Sequence, residues 1–319
     1  MRDDERPSMI LPTGVMRVLA PNPSPLTGPG TNTYLVASAD PDDLRSGCVV
    51  IDPGPLIEAH LAAVVNEAAA HGGVHAILIT HGHPDHVEGA ARLRELAGAP
   101  VRAWSREGTP AVDMTLADGE VIAVGGRQLR AIHTPGHRFD HLCFLLEDAQ
   151  ALFAGDLVAG VGTVVIAPPE GDMSAYLASL RRLLALDLRL ILPAHGPTIS
   201  QPRALLEGYI QHREERERQV IVALTSEPQT INALVAVIYT DVDPRLHPIA
   251  AYSVQAHLLK LATEGRAVHA DDLSPSSSPH KDEPVESLVA LAEGTAGAAP
   301  IGDEQWRLAY NADLSADDR

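Results

Sequence analysis

Short β-prone apolar runs alternate along this chain with segments whose apolar residues recur every three or four positions, and glycine, proline and charged residues separate the two. The strand-like runs are Gly14 to Leu19, Thr31 to Val36, Cys48 to Asp52, Ala76 to Thr80, Val101 to Trp104, Val121 to Val124, Leu129 to Ile132, His141 to Leu146, Leu152 to Ala154 and Leu188 to Leu192. Continuous apolar runs of this length predict buried strands. Helical spacing marks Ile57 to Ala70, Pro84 to Leu96 and Met173 to Leu186, the first stopped by His71-Gly72-Gly73. Thr31–Val36 and Cys48–Asp52 read as a hairpin, with Asp52-Pro53-Gly54 closing the second strand. Strands on both sides of helices predict an α/β fold with two sheets and helices packed outside. Pro21 to Gly30 is too rich in proline and glycine for a helix or central strand, so it reads as an ordered loop or a flap.

After residue 200 the pattern changes. Ala204 to Leu224 is one long charged helix, Thr230 caps a second from Ile231 to Tyr239, and Pro248 to Glu264 makes a third that ends at Gly265. Arg266 to His269 suits a wing strand. The predicted organisation is therefore a catalytic domain over 1–200, a small helical domain over 201–270 and a tail over 271–319. In that tail, serine, proline and acidic residues predict a mostly disordered linker. Trp306 and Tyr310 stand four apart, as an incidental pair or as the anchor of a short helix.

Composition narrows the reading. At 319 residues the chain can bury a substantial core, and with 3% aromatics that core must be aliphatic. Cys48 and Cys143 lie in apolar runs with no metal or disulfide spacing and read as small buried hydrophobes. The amino terminus lacks a secretory pattern and no eighteen-residue apolar run occurs, so a soluble, cytoplasmic protein is expected, with no membrane role. The formal net charge is −18, and residues 271–319 carry 11 acidic and 3 basic side chains, which leaves the body acidic too. That balance opposes binding nucleic acid through general phosphate neutralisation.

The candidate chemistry sits in Ile77 to Gly89, ILITHGHPDHVEG. His81, His83, Asp85 and His86 follow directly on a buried strand, where a loop lets alternate side chains converge. Imidazole nitrogens and carboxylate oxygens are ligands for zinc and similar ions, so this density predicts a metal centre. Three later stretches end apolar runs with further donors: His133-Thr134-Pro135-Gly136-His137, Ala154-Gly155-Asp156 and Pro193-Ala194-His195-Gly196. Asp52 and His133 are candidates to orient a ligand from behind, or to cap loops, and His141 either meets substrate or bonds within the fold.

HGHPDH, HTPGH, AGD and PAHG, in this order, closely resemble the pattern of the metallo-β-lactamase superfamily over about residues 15 to 200. The resemblance implies a four-layer αββα sandwich and two divalent metal ions: one held by His81, His83 and His137, a second by Asp85, His86 and His195, with Asp156 bridging both. His83, where iron-binding relatives often carry glutamate, favours zinc. Pro21-Asn22-Pro23, Gly30 to Val36, Tyr209 to Arg213, and His257 to Leu261 resemble a narrower lactamase-beta-2-like branch. That branch implies a winged-helix-like carboxyl domain, and includes thioesterases and an endoribonuclease acting on single-stranded RNA. Gly82 stands where many of its members carry tryptophan.

The expected function is thus a dinuclear metal-dependent hydrolase using a metal-bridging hydroxide, with Asp85 orienting it and assisting proton transfer. Thioesters or related acyl esters, free or carrier-bound, are the leading substrates, and single-stranded RNA is the alternative. An RNA enzyme needs stacking platforms, for which Tyr34, Trp104, Phe139 and Tyr209 are the few candidates. A homodimer is a further expectation, since aliphatic helices flank the site.

Overall fold

The computed structural model describes residues 11–40, 42–43, 45–270 and 300–309. The first sheet runs in the order β1 (Val15–Leu19), β2 (Asn32–Val36), β3 (Cys48–Ile51), β4 (Val74–Leu78), β5 (Val101–Ala103), β6 (Met114–Thr115). β1 to β3 pair antiparallel and β3 to β6 parallel, so the predicted β2–β3 hairpin is present. The second sheet contains β7 (Val121–Val124), β8 (Arg127–His133), β9 (Leu142–Leu146), β10 (Ala151–Gly155) and β11 (Leu190–Pro193). Its strands are antiparallel except for the β10–β11 pair. Gly125 and Gly126 turn β7 into β8 with φ of 53° and 75°, the conformation a two-residue hairpin loop demands.

Alternation along the strands builds two separate cores. Tyr34, Val36, Val49, Ile51, Ala76 and Leu78 of the first sheet share one apolar cluster with Leu129, Ala131, Phe144, Phe153 and Leu192 of the second, so the sheets face each other. Leu35, Cys48, Val50, Ile77 and Val101 point the other way. They pack with Leu61 and Val64 of α1 (Glu58–Ala69) and with Leu93 of a helix beyond the metal motif. Both cysteines are buried and free, and burial pushes each thiol up to about 12.

The helix predicted over Pro84 to Leu96 is two helices, α2 (Pro84–Val87) and α3 (Ala90–Ala97). The break is at Gly89, whose N–H goes to the Gly54 carbonyl at 2.9 Å. A Cβ there would stand 2.8 Å from Leu61 Cδ2 and 3.1 Å from the Gly54 carbonyl oxygen, so a larger residue would have to push the α1 side chain aside. α4 (Met173–Leu184) and α5 (Pro202–Ala223) follow as expected.

By contact, the chain divides into two compact units, the first comprising residues up to Pro135, Asp140–Val164 and Ser179–Leu206, the second the remainder. In the second unit, α6 (Ile231–Ile238) is capped by Thr230, whose hydroxyl accepts from the Ala233 N–H at 3.1 Å, and α7 (His247–Thr263) stops before Gly265. A third sheet orders β12 (Gln229–Thr230), β14 (Gln305–Leu308), β13 (Ala267–His269). β13 is the expected wing strand. Trp306 corrects the reading of the tail: it lies in the central strand of this sheet, 3% exposed, edge-on to the His269 ring at 4.9 Å. Burying an indole between two strands outweighs the four-residue spacing that suggested a helix. Tyr310, and the disorder expected at 271–299 and 310–319, lie outside the described residues.

Candidate metal centre

Strands β3, β4, β8, β10 and β11 open into loops that carry the predicted donors, as α/β folds build sites at the carboxyl ends of their strands. Two donor groups result. One ligand atom each from His81, His83, His137 and Asp156 lie within 4.8 Å of one another, and so do those of Asp85, His86 and His195. All seven predicted ligands are therefore in the two groups. Asp156 reaches toward the second as well, with Oδ1 at 3.2 Å from His195 Nε2 and Oδ2 at 3.5 Å from His86 Nε2.

Three of the five imidazoles are turned by a partner behind them. His86 Nδ1 donates to Asp52 Oδ2 at 2.8 Å, which leaves Nε2 buried without a hydrogen bond and aimed at Asp85 and Asp156. His137 Nδ1 donates to the Val165 carbonyl at 2.8 Å. Thr80 Oγ1 lies 3.1 Å from His81 Nδ1, and His81 Nε2 faces His83 Nδ1 at 2.9 Å. Ring nitrogens turned toward one another in this way, with a buried nitrogen that has no hydrogen bond among carboxylates, are the donor arrangement a divalent ion satisfies. The residues fit the two ions the fold implies.

Asp52 is buried and also accepts from Thr80 N at 2.8 Å and Thr80 Oγ1 at 2.7 Å, so it positions His86 and not merely its own loop. His141 is settled as a residue of the fold: Nε2 accepts from the Asp156 N–H at 3.1 Å, and Nδ1 pairs with Thr134 Oγ1 at 2.9 Å. His133 is in neither donor group and instead stacks on Trp104 with centroids 3.6 Å apart. Gly82 is explained by close approach, since a Cβ there would lie 2.0 Å from the Gly108 carbonyl oxygen. Thr80 and Thr31 were not legible as site residues, although each borders a recognised motif. Thr31 Oγ1 donates to Asp85 Oδ2 at 3.2 Å.

Charge in the site is balanced before an ion enters. Burial works against all four ionised groups, but the opposite charges around them win. His86 and the hydrogen-bonded His195 bring Asp85 down to about 2, and the same pair holds Asp156 well below the carboxylate range. Asp156 and Asp85 push His195 up to about 10, and Asp85, Asp156 and Asp52 raise His86 well above the usual histidine value. Both imidazoles are thus protonated at neutral pH, and a metal ion must expel those protons. Zinc titrated into metal-depleted protein at pH 7 should therefore release up to about two protons per chain. Calorimetry would show this as a heat that changes with buffer ionisation enthalpy. Affinity should rise as pH rises toward 10; a buffer-independent heat and pH-independent affinity would contradict the assignment.

The family model described as "Metallo-beta-lactamase superfamily" matches residues 26–111 and 104–195, and that of the "Beta-lactamase associated winged helix domain" matches residues 230–276. Beta-lactamase-like protein 2 homolog of Drosophila melanogaster is 34% identical over 276 residues, 80% of this chain and 90% of the relative. Atrochrysone carboxyl ACP thioesterase of Aspergillus fumigatus is 34% identical over 220 residues, 67% of this chain and 66% of the relative. The crystal structure of a Beta-lactamase domain protein from Burkholderia ambifaria matches the fold with a TM-score of 0.70 at 21% identity, over 93% of this chain and 91% of that one. With the donor groups in place and both of its parts matched, the chain belongs to the metallo-beta-lactamase superfamily, as a metal-binding hydrolase that carries a beta-lactamase-associated winged helix domain.

Proposed function

We propose that this enzyme hydrolyses thioesters or related acyl esters, free or carrier-bound, with two zinc ions. The observation that carries the acyl reading is the fate of the aromatic side chains. Of the four candidates, all among the described residues, Tyr34 and Tyr209 are buried, at 2% and 5% exposure, Trp104 is already stacked on His133, and half-buried Phe139 has the Arg138 guanidinium 5.1 Å from its ring centroid. A nucleic-acid strand is left with few faces on which bases could stack. Apolar surface is exposed instead on two loops tied to ligand residues. Leu56 stands two residues after Gly54, whose N–H bonds the His86 carbonyl at 3.2 Å, and Val161 follows Gly160, whose N–H bonds the His195 carbonyl at 2.9 Å. These two side chains form the proposed acyl rim, and the similarity to a thioesterase supports the substrate class.

In this reading His81, His83 and His137 would hold one ion and Asp85, His86 and His195 the other, with Asp156 in reach of both. Bound ions of this kind make water acidic enough to attack at neutral pH and polarise the carbonyl being cleaved. Asp85 takes and returns the proton at Oδ1, because its Oδ2 is engaged by Thr31 Oγ1 and lies 3.2 Å from His195 Nε2. Asp52 and the Val165 carbonyl keep His86 and His137 in the tautomers that bind. A thiolate leaves readily, so the residues need supply little acid to the departing sulfur.

Initial rates on a panel of acyl thioesters and on a single-stranded RNA reporter test this, with Asp85→Ala as control. Thioester turnover that disappears in the variant, with RNA left intact, is expected. RNA cleavage lost in the variant, with inert thioesters, would overturn the acyl reading.

A further inference from the structure

The sequence reads Pro21 to Gly30 as an ordered loop or a flap and gives the Thr31 to Thr33 run after it no chemical role. Their hydrogen bonds converge on one hydroxyl. Thr31 is fully buried, and its Oγ1 lies 3.2 Å from Asp85 Oδ2 and 3.0 Å from Asn22 Nδ2. The Thr31 backbone N–H donates to Asn22 Oδ1 at 2.9 Å, which sets the orientation of the amide and makes Nδ2 the donor toward Oγ1. A threonine hydroxyl has one proton. With Asn22 donating to the oxygen, that proton is directed at Asp85.

The mount is stiff. Thr27 Oγ1 donates to the Asn22 carbonyl at 2.6 Å, and Ser24 and Gly28 exchange backbone hydrogen bonds at 3.2 and 2.8 Å. Gly30 has φ of 139°, and a Cβ there would sit 1.9 Å from the Ala20 carbonyl oxygen. On the other side, Asn32 binds the loop that carries His195, through Nδ2 to the carbonyls of Pro193 and Gly196, each at 3.0 Å. Thr31 itself forms a β-bridge with His195. The segment from Asn22 to Asn32 is thus a bracket spanning Asp85 and His195, and not a flap.

We propose that Thr31, aimed by Asn22, is a positioning residue that fixes the Asp85 carboxylate for the ion shared with His86 and His195. The inference rests on the reading of Asp85 as a ligand in the proposed hydrolase, and the experiment separates the two. Zinc affinities of the wild type, Thr31→Val, Thr31→Ser, Asn22→Ala and Asp85→Asn are measured by competition with a chromophoric chelator, alongside the visible spectrum of the cobalt(II) proteins. Thr31→Val keeps the shape and removes the donor. It should weaken one of the two ions by about 10- to 100-fold, the range for lost orienting partners, and alter the cobalt spectrum. Thr31→Ser should restore both to near wild-type values. Asn22→Ala should weaken the same ion, which keeps the inference testable where the valine variant folds poorly. Wild-type affinity and spectrum in both Thr31→Val and Asn22→Ala, with Asp85→Asn defective, would overturn the positioning role alone. An unaffected Asp85→Asn would overturn the ligand reading itself.

Discussion

Asp156→Ala is expected to weaken both metal ions and to lower kcat/KM by about a thousandfold or more, since several kcal/mol of transition-state stabilisation depend on the pair of ions. The reason is geometric. Asp156 belongs with His81, His83 and His137, and its two oxygens also stand 3.2 Å from His195 and 3.5 Å from His86. Its backbone is held from below, by the N–H bond to His141 and by Gly155, where a Cβ would lie 2.7 Å from His141 Nε2. The side chain can therefore be deleted while its loop stays in place. Initial rates and ion content after dialysis, with circular dichroism to confirm folding, test this. Loss of one ion with the other held at wild-type affinity would show that Asp156 serves a single metal.

The second large effect is expected directly behind a ligand. Asp52→Ala removes three hydrogen bonds from a buried carboxylate, to Thr80 N, Thr80 Oγ1 and His86 Nδ1. The Thr80 N–H and His86 Nδ1 are then left buried without an acceptor, and Thr80 Oγ1 keeps only His81 Nδ1, so stability should fall by about 3 to 5 kcal/mol. His86 also loses the partner that fixes its tautomer, and ion affinity at its site should drop by about 10- to 100-fold. Urea unfolding and chelator competition measure the two effects separately. A variant as stable as the wild type that binds zinc normally would show that Asp52 only caps its loop.

The ligands were legible because each closes an apolar strand, and a strand end is a place that periodicity locates well. The broken helix after the motif was not, because Gly89 departs from its helix to meet Gly54, a contact 35 residues away that local spacing does not encode. Thr31 and Thr80 were missed for a similar reason. A threonine beside a strand is usually a β-former, and only the folded chain shows one hydroxyl on Asp85 and the other on Asp52. Trp306 was misread because its strand pairs with β12 and β13, which precede it by a long acidic stretch. Nonlocal pairing of so few residues leaves little trace in the spacing of Trp306 and its neighbours.

Seven side chains from four segments of the chain offer a centre for two ions. Native mass spectrometry of the zinc-loaded, desalted protein counts the ions directly. Two per chain are expected in the wild type, one in His137→Ala and one in His195→Ala, since each substitution breaks a different donor group. A single ion in the wild type, or two ions persisting in both variants, would contradict this assignment.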